Sequence, residues 1–104
     1  MMQFGSYDIR QAGPVHLYQC VKILRAEYEE ENGPDAGFRF VPGDVSGRLL
    51  MTFTDPNRGT CVVCEDRSKI VGIMSGVYTM GWGGDENAIV WNEAGWYVYP
   101  AFRR

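Results

Sequence analysis

The feature that most constrains this chain is the run AIVWNEAGWYVYPAFRR, from Ala88 to Arg104. Its first dozen residues are mostly β-branched, aromatic or small, with no proline before Pro100, and side chains of that kind pack well on a pleated surface. One long, buried strand is the expectation. Pro100 has no N–H to give to a sheet ladder, so the strand should end there and pass into Ala101-Phe102-Arg103-Arg104, two of whose four residues are cations. A strand that ends in a basic turn delivers backbone amides and positive charge to a place where an anionic ligand can be held.

Such a strand needs neighbours and a covering layer. The chain's 104 residues, 45% of them hydrophobic, suffice for one domain with a modest core, so residues 1–104 are read as a single domain. A formal charge of −3 argues against a nucleic-acid-binding protein driven by bulk charge. Apolar runs are only a few residues long and the N-terminus MMQFGSYDIR has no basic export leader, so no membrane contact and a cytoplasmic location are expected. Three cysteines do not suggest a disulfide framework. Cys61 and Cys64, with His16 and Cys20 at helical spacing, can be written as a zinc set, but Val62 and Val63 favour a strand that puts the two cysteines on opposite faces. Buried thiols and no metal are the expectation.

Upstream, Tyr7 to Arg10 reads as a short first strand broken by Gly13-Pro14. Leu17, Cys20, Val21, Leu24 and Tyr28 then follow the spacing of one buried helical face, and Asn32-Gly33-Pro34 stops that helix near Glu31. Glu27, Glu29, Glu30 and Glu31 crowd its last turns, where the macrodipole disfavours negative charge by a few tenths of a kcal/mol each. A second helix is expected from an Asp44 cap, with Val45, Leu49, Leu50 and Phe53 inward and Asp55-Pro56-Asn57-Arg58-Gly59 as its stop. Thr60 to Glu65 and Ile70 to Tyr78 form an antiparallel hairpin across Asp66-Arg67-Ser68-Lys69. Gly72 and Gly76, four apart in its second strand, leave one face open to a close approach, and Trp82 stands in a glycine-rich connection to the final strand. The fold class is therefore α+β, in the order β-α-α-β-β-β, with an antiparallel three-stranded meander at the C-terminal end.

Tyr97-Val98-Tyr99-Pro100-Ala101-Phe102-Arg103-Arg104 resembles the end of the fourth strand of GCN5-related N-acetyltransferases, which leads into their acetyl-coenzyme A pyrophosphate loop. CVVCEDRSKIVGIMSGVY resembles the second and third strands of the same family, and the order of elements matches its N-terminal half. The resemblance implies acetyl or acyl transfer from acetyl-coenzyme A to an amine whose identity is open. It further implies that Tyr97, Val98, Tyr99, Arg103 and Arg104 lie along the cofactor, and that Tyr28, Glu29, Glu30 and Glu31 meet a cationic acceptor. Glu93, the only carboxylate of the last strand before Pro100, is the candidate general base, because its apolar neighbours would raise a carboxylate's pKa. The family's acidic position falls nearer Asn92, which cannot take a proton.

In that family a glycine-rich turn and a helix follow the point at which this sequence stops. Two functions are consistent with this. One is the N-terminal part of an acyltransferase, inactive by itself. The other is a non-catalytic interaction protein on the same half-fold, such as a phage structural or accessory protein. Either way the aromatic last strand calls for cover, from a second copy or another protein.

Overall fold

The structure is a computed structural model that describes residues 2–4, 7–31, 39–80 and 89–103, with the backbone alone for 2–4, 79–80 and 89–94. The expected helix stop at Asn32-Gly33-Pro34, Phe38, the Trp82 connection and Arg104 lie outside the described residues.

Five antiparallel strands follow one another across a single sheet: β1 (Met2–Phe4), β2 (Tyr7–Gln11), β3 (Gly59–Asp66), β4 (Lys69–Met80) and β5 (Ile89–Val98). Two helices, α1 (Leu17–Glu31) and α2 (Pro42–Thr54), stand between β2 and β3 in the chain. The α+β class and the β3-β4-β5 meander are as expected. The order is corrected at its start, where β1 pairs Met2 with Ile9 and Phe4 with Tyr7 ahead of the first expected strand. Three residues are too few to show a period of two, so the sequence carried no signal for it.

Both helices cover one face of the sheet. Cys20 and Ile23 of α1 and Leu49 of α2 meet Cys61 and Val63 of β3, Ile70 and Ile73 of β4 and Tyr97 of β5 in one core. Leu17, Val21 and Leu24 pack against that core without being fully enclosed, so the buried stripe of α1 is wider than its sequence spacing suggested and is centred on Cys20 and Ile23. Sitting between a sheet and a second helix, α1 buries two adjoining stripes rather than one. In α2, Pro42 takes the first turn with Val41 as its cap, and Asp44 lies inside that turn instead of capping it. Leu50, expected inward, is exposed.

Cys61 is buried under the helices, while Cys64 is paired with Gly72 and Ile9 at alternating strand positions facing the other way. The Cys20 thiol is pushed up by its hydrogen bond with Cys61 and by burial. His16 takes no part: its Nδ1 accepts the Gly13 N–H at 2.9 Å, and its Nε2 lies 3.3 Å from Glu65 Oε1. Among the described residues no group of acidic, histidine and cysteine side chains could hold a metal ion, and no helix is long and apolar enough to cross a membrane.

The hairpin loop between β3 and β4 is tighter than expected. Asp66 pairs with Lys69, leaving Arg67 and Ser68 as its two central residues with φ of 52° and 70°. A two-residue loop with left-handed backbone at both positions matches the twist of the strands, but residues with a Cβ pay for it. Replacing the pair by Asn-Gly (Arg67→Asn, Ser68→Gly) is expected to raise stability by about 1–2 kcal/mol. A urea melt whose midpoint does not rise would contradict this.

Candidate functional site

The acidic end of α1 lies against β5, and the contact is made by carboxylates. Glu27 Oε2 accepts the backbone N–H of Trp96 at 3.0 Å. Three residues on, Glu30 accepts two parallel bonds from the Arg103 guanidinium, both at 2.8 Å, and a third from the Tyr97 hydroxyl. Arg103 is itself aimed by an Nε–H bond to the Val98 carbonyl at 2.8 Å, and its guanidinium lies 5.0 Å from the centre of the Tyr97 ring. Glu27 and Glu30 share one side of α1 because residues three apart do. Gly95 permits the close approach, since a Cβ there would come within 2.7 Å of Leu24 Cδ2.

These contacts set the electrostatics. Hydrogen bonds from Arg103 and then Tyr97 hold the Glu30 carboxyl down to about 2, from an ordinary value of 4.5. Reciprocally, Glu30 pushes the Arg103 guanidinium and the Tyr97 hydroxyl up. A folded-state value below the unfolded one means that the contact stabilises the fold fully above about pH 4.5 and is lost as the pH falls toward 2. The side-chain carboxyl carbon of Glu30, followed by NMR, is expected to titrate near 2 and to return toward the ordinary carboxylate range in Arg103→Gln. An ordinary midpoint in the parent chain would show that the clamp does not form in solution.

Beside this clamp a cavity of about 350 Å³ opens between α1, α2 and β4. Leu24, Val45, Leu49 and Val77 supply apolar walls. Glu27 and Glu31 line it from α1, Arg48 from α2, and the rings of Tyr28 and Phe40, 5.7 Å apart, close one side. Ser75 and Gly76 bring β4 to the cavity at an irregularity in the sheet. There Ser75 pairs with Gly95 and Gly76 with Glu93, so Ala94 is an extra residue in β5.

The expected site residues separate accordingly. Tyr28 and Glu31 reach the cavity, Glu29 pairs with Arg25 of its own helix at 3.4 Å, and Glu30 turns to Arg103. They do not form one acidic patch. Tyr97, Val98, Tyr99 and Arg103 do gather along the end of β5, with the Tyr97 and Tyr99 rings 6.0 Å apart and edge to face. The Glu93 backbone lies opposite Gly76, at the edge of the cavity, and its side chain lies outside the described residues. Of the two expected openings on β4, Gly76 lines the cavity, whereas the space at Gly72 is taken by Val98 Cγ2 at 3.4 Å from where a Cβ would stand. Glu27, Arg48 and Gly95 were not among the expected site residues. For Glu27 a signal existed, since it stands three residues after Leu24, on the buried side of α1.

The edge of the sheet decides whether a coenzyme fits here. Among the described residues β5 has a neighbouring strand on one side only, the N–H of Trp96 is given to a side chain instead of a strand, and a guanidinium stands at the strand's end. Each of these donors already holds an oxygen ligand, so the residues fit the acceptor-rich arm and phosphates of a coenzyme A.

No protein-family model matches the sequence, and no curated protein matches it. Solved structures do match. A possible acetyltransferase from Clostridium difficile 630 superposes with a TM-score of 0.74 at 18% identity, over 94% of this chain and 60% of that one. A predicted acetyltransferase from Clostridium acetobutylicum, solved with acetyl-CoA, gives 0.73 at 12% identity, over 93% and 62%. An aminoglycoside acetyltransferase from an uncultured soil metagenomic sample, in complex with sisomicin, gives 0.65 at 19% identity, over 95% and 60%. At these identities the likeness is one of fold. The chain spans about 60% of the length of the structures it matches, and over that span it has the acetyltransferase fold.

Proposed function

We propose that this chain is the acceptor-binding and strand-edge part of an acyl-coenzyme A N-acyltransferase that moves an acetyl or other acyl group to an amine. The observation that carries the reading is the position of the cavity, bordered by the carboxylates of α1 on one side and on the other by Ser75 and Gly76 of β4, at the irregularity where β4 pairs with β5. Acetyl-coenzyme A would supply an activated thioester carbonyl. Trp96 to Arg103 would hold that group, and Glu93 would take the proton that the amine nitrogen loses as the acyl carbon passes to it from the thioester sulfur, which is released as the thiol.

The chain's own groups would divide the work. Trp96 to Tyr99 offer backbone groups along the edge, and Arg103 offers charge to the phosphates, with Arg104 next to it. Glu31 and Tyr28 draw a cationic amine into the cavity. Glu93 is the proposed base, a reading supported by the pairing of its backbone with Gly76, which lines the cavity. The apolar cover that β5 needs comes from further polypeptide: the counterpart of the remaining 40% or so of the matched chains, a second copy, or another protein. Trp96, 63% exposed, and its cross-strand partner Met74, 42% exposed, mark the face to be covered.

A second reading is favoured by one observation: the donors that would serve the coenzyme are already engaged by Glu27 and Glu30. A non-catalytic interaction protein, for example a phage structural or accessory protein, would keep them so. Acetylation of a panel of primary amines by the 104-residue chain tests both. No turnover is expected from the chain alone. Turnover that appears when a covering polypeptide is added and falls at least 100-fold in Glu93→Gln supports the enzyme. Absence of turnover with any cover, together with tight association through β5, supports the scaffold.

A further inference from the structure

We infer that Glu30 is an internal stand-in for phosphate, a carboxylate that keeps the Arg103 subsite closed until a polyphosphate ligand displaces it. This rests on the acyltransferase reading for its physiological ligand, but not for its chemistry. Arg103 is aimed at Glu30 by its own bond to the Val98 carbonyl, so the guanidinium fork faces a fixed direction whatever fills it. The Tyr97 hydroxyl adds a third donor from the same strand. Two parallel N–H donors and one O–H donor converging on a pair of anionic oxygens form a receptor for a tetrahedral oxyanion as much as for a carboxylate.

The contact is poised for exchange rather than locked. The side chains of Arg103 and Glu30 are 42% and 41% exposed, and an ion pair as wet as this is weak. A phosphate group brings up to twice the charge and three acceptor oxygens, so it outcompetes one carboxylate for the same donors. Glu30 nevertheless has an advantage, since it is delivered by α1 at an effective concentration in the range of millimolar. A free ligand must exceed that. Because Arg103 and Tyr97 hold the Glu30 carboxyl well below its ordinary value, the stand-in stays charged throughout the neutral range, and ligand, not pH, opens it. One turn earlier Glu27 makes the same kind of contact with the Trp96 N–H, so the Trp96, Tyr97 and Arg103 donors at the strand's end are all engaged from one helix.

The test is a titration of inorganic pyrophosphate into the full 104-residue chain, followed by ¹⁵N NMR at the Arg103 Nε–H and the backbone amides of β5. Glu30→Gln is expected to tighten pyrophosphate about 10-fold, with saturating shifts at Arg103, and Arg103→Gln to abolish binding. Glu30→Asp, which keeps the charge on α1 but is one methylene too short to hold Arg103 as Glu30 does, serves as a second variant should Glu30→Gln loosen the fold, and it is expected to tighten pyrophosphate in the same direction. Pyrophosphate binding that is equal in the parent and Glu30→Gln, absent from both, or centred away from Arg103 overturns the proposal. A parallel titration with coenzyme A separates the two claims: pyrophosphate gain at Arg103 without any coenzyme shift at Trp96 would retain the stand-in and remove the acyltransferase reading.

Discussion

Ile23→Ala is expected to lower the stability of this chain by about 2–5 kcal/mol, the cost of deleting a large aliphatic side chain from a site that cannot collapse around the gap. Ile23 has no exposed surface and is enclosed by the core that α1, α2 and the sheet share. Leu50→Ala, on the outer side of α2 and 39% exposed, is expected to cost less than about 1 kcal/mol. The comparison by denaturant unfolding is decisive because both residues are long aliphatics on helices. Equal losses would mean that α1 does not bury the side the structure shows.

Gly59→Ala is expected to have the next largest effect, a loss of about 1–3 kcal/mol from overpacking. Gly59 pairs with Val77 at the start of β3, and a Cβ there would be driven into the Gly76 carbonyl oxygen, with Val77 Cα at 3.3 Å. These are backbone atoms that cannot swing aside. Since Gly76 and Val77 also line the cavity, the strand shift that relieves the clash should reshape it. A Gly59→Ala variant as stable as the parent, in a urea melt, would contradict the close approach of β3 and β4.

Local features of the chain were legible because they depend on neighbours in sequence. The Val-Val pair between Cys61 and Cys64 committed β3, the aromatic run ending at Pro100 committed β5, and the spacing of Leu17, Cys20, Val21 and Leu24 committed α1. The site was less so. A crowd of glutamates at the end of a helix looks alike whether it is solvated or engaged, and what distinguishes Glu27 and Glu30 is partners 69 and 73 residues away. Their clash with the helix dipole was the visible trace of this, an unfavourable local choice that the contacts with β5 offset. Arg103 was readable as a cation beside an anion site, but that the anion would come from α1 depends on the close packing at Gly95, which no local pattern encodes.

The central claim is that the open edge of β5 and the Arg103 subsite at its end form a coenzyme site beside an amine-binding cavity. The measurement that addresses it most directly is a ¹⁵N NMR titration of the chain with coenzyme A. The account predicts saturable shifts concentrated at the amides of Trp96 to Arg103, strengthened in Glu30→Gln and lost in Arg103→Gln. No saturable shift in either the parent or Glu30→Gln, or shifts confined to other strands, would contradict it.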